Sequence, residues 1–156
     1  MNTRRWLAAS ALTACMAALA LTPAASAAPQ AVNGFFRVQA DTGPDCDSIV
    51  CLAGDVSGRI KGAFSFAATE IIPTADTPET GVITTIGDAV VATGDGDITC
   101  KLTGSLQLSG DGPFVSICVV TGGTGKWTGA SGYLRTSGTF LFGAGGSGTY
   151  DGKVVA

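Results

Sequence analysis

The feature that most constrains this chain is a two-residue rhythm. From Ala28 onward apolar and polar residues alternate in short runs, separated by clusters of Gly, Asp, Pro and Ser. A period of two sends successive side chains to opposite faces of an extended strand, so it marks sheets with one buried and one wet face. Val32, Gly34, Phe36, Val38 and Ala40 form one such set against Asn33, Arg37 and Gln39. Val56, Gly58, Ile60, Gly62, Phe64 and Phe66 alternate with Ser57, Arg59, Lys61 and Ser65, and Ile98, Cys100, Leu102, Gly104, Leu106 and Leu108 with Thr99, Lys101, Thr103, Ser105 and Gln107. Helical periodicity never lasts more than two turns after Pro29.

Turn chemistry at 74–79, 94–96, 109–113 and 143–148 divides the chain into strands near 32–40, 55–66, 67–73, 81–92, 97–108, 114–121, 132–142 and 147–155. The run from Asp55 to Ile72 is too long for one ordinary strand, which predicts a bulge or bend near Ala67-Ala68. About eight strands without helices predict an all-β fold, an antiparallel β-barrel or, as the alternative, a β-sandwich. Glycines at interior positions such as Gly58, Gly62 and Gly104 suit strongly coiled strands and favour the barrel.

The first 27 residues do not share the rhythm. Arg4-Arg5 precede an apolar run from Trp6 to Leu21, Thr22-Pro23 interrupt it, and Ala25-Ser26-Ala27 offer small residues for cleavage. That order predicts a secretory signal peptide cut after Ala27, with a single domain over 28–156. The apolar run is shorter than the ~20 residues a spanning helix needs, so no membrane association is expected after cleavage. Leu12-Thr13-Ala14-Cys15 fits the loose pattern of a lipoprotein site, which would instead anchor the chain at Cys15. Without residues 1–27 the 156-residue chain becomes 129 residues that keep all 23 glycines, and its formal charge moves from −3 to −5 because Arg4 and Arg5 are lost. An acidic domain is not expected to bind nucleic acid. The chain has no histidine, so His-based triads and His-ligated metals are excluded.

Cys46, Cys51, Cys100 and Cys118 are an even number in an exported domain and read as two disulfides with three connectivities open. Cys46 and Cys51 can close a small ring, while Cys100 and Cys118 fall on successive strands around the 109–113 turn, so the pairing Cys46–Cys51 with Cys100–Cys118 is favoured. Four thiolates on zinc would need paired C-x-x-C spacing, which is absent.

The segment 120–132 resembles a nucleotide loop only superficially. Val120 stands where a P-loop needs Gly, and Trp127 follows Lys126 where Ser or Thr should reach magnesium. No cofactor is expected. Gly122-Gly123-Thr124-Gly125-Lys126, then aromatic Trp127, Ala130 and Gly132, is similar to the corresponding loop of dirigent proteins and allene oxide cyclase barrel-like proteins. The similarity extends as a pattern from Gly81 to Val155 through Gly87-Asp88 and Asp95-Gly96. It implies an eight-stranded barrel with a hydrophobic pocket, assembly into dimers or trimers, and cyclisation or coupling of small apolar molecules. Trp127 replaces the usual Phe, and the family's acidic and basic pocket residues have no matching positions here.

Strand phase predicts which polar residues face inward. Glu70 follows Phe64, Phe66 and Ala68 in step and would be a pocket acid or base, unless a bulge near Ala67 turns it to solvent. Asp88 is a second candidate carboxylate, unless a turn or bulge beside Gly87 redirects it. Trp127, Tyr133 and Tyr150 are candidate ligand-binding residues at a barrel mouth. Asp95 and Asp97 lack calcium-loop spacing and read as turn residues, while Asp41, Asp45, Asp47 and Asp55 form an acidic loop region. The expected function is a secreted barrel that binds a small apolar molecule, acting if at all as a cofactor-independent isomerase, cyclase or dirigent-like scaffold. The alternative is a non-enzymatic extracellular or cell-envelope interaction module. An apolar pocket of about 300 Å³ or more with Glu70 or Asp88 facing it would favour the first, and a barrel packed solid would exclude it.

Overall fold

The computed structural model describes residues 28–44, 46–74, 81–109 and 111–156. The expected signal segment 1–27, with Cys15 and the Ala27 site, lies outside them, as do Asp45, Gly110 and most of the 74–79 turn. Eight strands follow in order: β1 (Gln30–Asp41), β2 (Cys51–Gly58), β3 (Gly62–Pro73), β4 (Val82–Thr93), β5 (Gly96–Gln107), β6 (Pro113–Gly123), β7 (Ser131–Leu141) and β8 (Gly145–Val155). Each runs antiparallel to the next, and β8 pairs back onto β1 from Gln30↔Val154 to Val38↔Gly146. The sheet is therefore a closed barrel rather than a sandwich, with no open edge to protect.

Alternation sets the wall. Phe36, Val38, Val56, Phe66, Val91, Ile98, Leu134, Phe140 and Tyr150 turn inward and are buried, while Arg37, Asp55, Lys101 and Arg135 turn outward. Several inward glycines lie beneath rings from neighbouring strands. A Cβ on Gly34 would come within 2.6 Å of Tyr150, one on Gly87 within 2.7 Å of Phe66, and one on Gly148 within 2.8 Å of Phe36. The glycine content thus supplies space for large side chains inside a narrow barrel.

The two ends differ. The β2–β3 and β4–β5 turns, the 124–130 connection, the start of β1 and the end of β8 share one end. Val91, Ile98, Cys100, Val120, Ala130 and Val154 seal it, none more than 4% exposed. A single 3₁₀ turn (Gly125–Trp127) caps this end. Its backbone is fastened to the β4–β5 turn through Lys126 N–H to Asp95 C=O (2.8 Å) and Thr124 N–H to Asp97 C=O (2.9 Å). Gly125, at φ +55°, makes that turn possible and lies against Asp95 and Gly96, leaving no space for a Cβ. At the other end the inward residues Val50, Leu52, Ile71, Leu106 and Phe114 are only partly buried, and this end is the mouth.

Two strand boundaries differ from the sequence reading. The chain reverses at 59–61, inside the run expected to be one strand over 55–66, and the expected segments 55–66 and 67–73 merge into β3 beyond it. Val56 pairs with Gly62, an even separation, so both point inward and the alternation passes through the hairpin without a visible break. Gly58, at φ +111°, takes the reversal. The predicted irregularity near Ala67-Ala68 is present as a register shift between Ala68 and Glu70.

Both favoured cysteine pairs form. Cys46–Cys51, with Cα atoms 5.8 Å apart, closes the loop before β2. Cys100–Cys118, at 5.6 Å, ties β5 to β6 on the inner wall, where the two residues are 2% and 4% exposed. Two disulfides fit an oxidising, extracellular environment, and among the described residues no helix is long and apolar enough to cross a membrane.

Candidate functional site: the barrel lumen

Small and branched side chains close the sealed end, and the space inside the barrel opens from there toward the mouth. It is a cavity of about 130 Å³ running from Val56, Ile60 and Val91 up to Phe114, Phe140 and Phe142. Its wall is aliphatic and aromatic, and none of the described residues that line it is charged. Phe36 and Phe114 meet edge to face at 5.6 Å, as do Phe140 and Phe142 at 5.3 Å near the rim. The volume is below the 300 Å³ named above, yet the barrel is not filled. A dry apolar cavity of roughly 150 Å³ is enough to take up benzene.

Hydroxyls interrupt the apolar wall at one level. Register places Thr85 beside Gly104, Gly104 beside Ser116, Ser116 beside Thr136, and Thr136 beside Tyr150, all facing inward on five adjacent strands. Ser116 Oγ and Thr136 Oγ1 are hydrogen-bonded at 2.5 Å. A side chain at Gly104 would press on Ser116, its Cβ 2.8 Å from that of the serine, so the glycine keeps the band open. These hydroxyls were not singled out in the sequence. The signal was there: Ser116 is in step with Phe114 and Cys118, and Thr136 with Leu134 and Phe140.

Of the predicted catalytic and ligand-binding residues, Tyr150 alone lines the lumen. It is 5% exposed, and its hydroxyl donates to Ile60 C=O and accepts from Ile60 N–H, both at 2.9 Å. Burial raises its pKa above the ordinary tyrosine value, and the Ile60 backbone bond partly opposes that rise. With both bonds used inside the protein, the phenol is a brace rather than a ligand contact. Tyr133 does not line the cavity. It lies on the outer face of β7 opposite Val119, with the Arg135 guanidinium 5.9 Å from its ring. Trp127 also stands away from the mouth. It packs over the sealed end, where its ring N–H donates to Thr93 Oγ1 at 3.2 Å.

Neither carboxylate faces the cavity. The bulge after Ala68 reverses the phase, so Ile71 continues the inner wall and Glu70 is exposed. Asp88 is outside for a different reason: β4 is regular beside Gly87, whose neighbours Ala89 and Val91 turn inward. Asp88 instead meets Lys101 at 2.6 Å, with both side chains more than half exposed. A second outer pair, Arg135–Asp151, bridges β7 and β8 and raises the Arg135 pKa through its hydrogen bond and charge. Among the described residues no three His, Cys, Asp or Glu side chains gather where they could hold a metal ion. With no carboxylate, Lys or Arg among the described residues of its wall, the lumen can exclude water, fix the shape of a guest and offer hydroxyls to it. No protein-family model, curated protein or solved structure matches the chain.

Proposed function

We propose that this protein holds a small apolar molecule in its barrel lumen, outside the cytoplasm. The observation that carries the reading is the 130 Å³ apolar cavity, uncharged among the described residues of its wall and sealed at one end. The similarity of the 122–132 loop to allene oxide cyclase-like and dirigent proteins points the same way. Any chemistry would come from positioning and desolvation, because Glu70 and Asp88 lie on the outer face, away from a guest in the lumen. The pattern of residues 1–27 supports export with cleavage after Ala27, and N-terminal sequencing of the secreted protein checks it: Ala28 at the start supports the reading, whereas a lipid-modified Cys15 supports the anchored form.

Toluene tests the cavity directly. At a hundred times its Kd it should stabilise the fold by about 2.7 kcal/mol, and Leu102→Phe, which fills the lumen, should abolish the gain. No thermal shift and no magnetisation transfer between toluene and lumen methyl groups would sink the proposal.

A second reading, contact with a protein or cell-envelope partner or with another copy, rests on the outer face of β6. Val115, Ile117 and Val119 form an outward row that is 59%, 44% and 49% exposed. Sedimentation of the wild type against Ile117→Lys tests self-association. A monomer in both removes that form of the reading.

A further inference from the structure

We infer that the lumen selects a neutral guest with a single hydrogen-bonding oxygen, an aldehyde, ketone or alcohol on one ring or a short chain, and rejects the carboxylate of the same shape. This rests on the lumen-binding reading above and adds the chemical class of the ligand.

Size comes from the cavity. About 130 Å³ admits one ring or an equivalent chain and little more. The oxygen is called for by the hydroxyl band. When Ser116 and Thr136 bond to each other, one of the two O–H groups is donated within the pair and the other remains for a guest. Thr85 adds a third hydroxyl from β4 at the same level, across the notch left by Gly104. Tyr150 does not compete for the guest, since Ile60 occupies its hydroxyl as both acceptor and donor.

Neutrality follows from what surrounds the guest. Among the described residues no cation lines the wall, so an ionised carboxylate would lose its water without gaining a counter-charge. The entrance opposes anions as well. Asp41, Asp47 and Asp111 stand in or beside the mouth loops, and the chain segments 42–50, 74–81, 108–112 and 142–144 contain no Lys or Arg. Arg59, Lys61 and Lys126 are all in turns at the sealed end. An approaching anion therefore meets an acidic rim before it reaches an apolar wall.

The experiment titrates toluene, benzaldehyde and benzoate into the full chain, expressed from residue 1 so that any export processing takes place, and into three variants: Ser116→Ala together with Thr136→Val, Thr85→Val alone, and the three substitutions combined. Toluene reports the cavity, and its retained binding shows that a variant has folded. Losing the hydroxyl pair should weaken benzaldehyde roughly fivefold while toluene stays within about twofold. Benzoate at neutral pH should bind at least about a hundredfold more weakly than benzaldehyde. If the wild type binds no toluene, the lumen reading itself fails. If toluene binds but the benzaldehyde-to-toluene ratio is the same in the wild type and all three variants, the hydroxyl band has no role and the inference is overturned. Benzoate binding as tightly as benzaldehyde overturns the neutrality.

Discussion

The Tyr150 hydroxyl takes both backbone hydrogen bonds of Ile60, 90 residues earlier in the chain, donating to its C=O and accepting from its N–H at 2.9 Å. Ile60 sits in the β2–β3 reversal and is 2% exposed, so its peptide groups have little access to water. Tyr150→Phe leaves that donor and acceptor unsatisfied with almost no change of shape. We expect a loss of about 1–3 kcal/mol, read by urea unfolding. A change below about 0.5 kcal/mol would mean that water replaces the phenol.

The same hydroxyl sets an alkaline limit. Burial raises the Tyr150 pKa in the folded protein above the unfolded value near ~10. The folded chain therefore retains a proton that the unfolded chain releases. The stability contribution is complete below about pH 10 and is lost as the pH rises through the folded value. Chemical denaturation across that window should fall more steeply for wild type than for Tyr150→Phe. Parallel curves would contradict the assignment.

Interior glycines should be unequal in what they tolerate. At Gly87 a Cβ would lie 2.2 Å from the Ala67 carbonyl oxygen and 2.7 Å from Phe66, whereas at Gly94 nothing lies within 4 Å. Gly87→Ala should cost about 1–3 kcal/mol or more through overpacking. Gly94→Ala should stay within about 0.5 kcal/mol. Equal melting temperatures for the two variants would refute the account of glycine as space for rings.

The disulfides should part company under reduction. Cys100–Cys118 lies on the sealed inner wall, while Cys46 and Cys51 are half-buried in a loop at the mouth. Mild reductant should open Cys46–Cys51 first, as followed by alkylation and peptide mapping. Replacing both Cys100 and Cys118 by Ala should cost about 3 kcal/mol on the loop-entropy scale, and replacing Cys46 and Cys51 about 2 kcal/mol.

Much of this architecture could be read from the phase of the residues. The barrel, the inner set from Val32 to Val154 and both cysteine pairs follow from alternation and spacing. Turns were legible where Gly, Asp, Pro or Ser cluster, as at 94–96 and 109–113, but not at Arg59-Ile60-Lys61. Val91 faces Ile98, an odd separation, so the β4–β5 turn interrupts the pattern, while the even pairing of Val56 with Gly62 conceals the β2–β3 turn. Glu70 shows the same dependence from the other side, because a one-residue register shift moves it from one face to the other. The lumen hydroxyls were overlooked because Ser and Thr are common on the wet face, and attention to charge passed over them. Which end is open depends on how full the inner wall is, and that is a property of all eight strands together.

That polarity bears on handling the protein. β1 begins and β8 finishes at the sealed end, so a linker joined near Ala28 or Ala156 emerges on the side away from the mouth. Immobilised through either point on a bead or sensor chip, the barrel would present its entrance to the solution. A guest could then be loaded and washed out repeatedly without the support standing in its path.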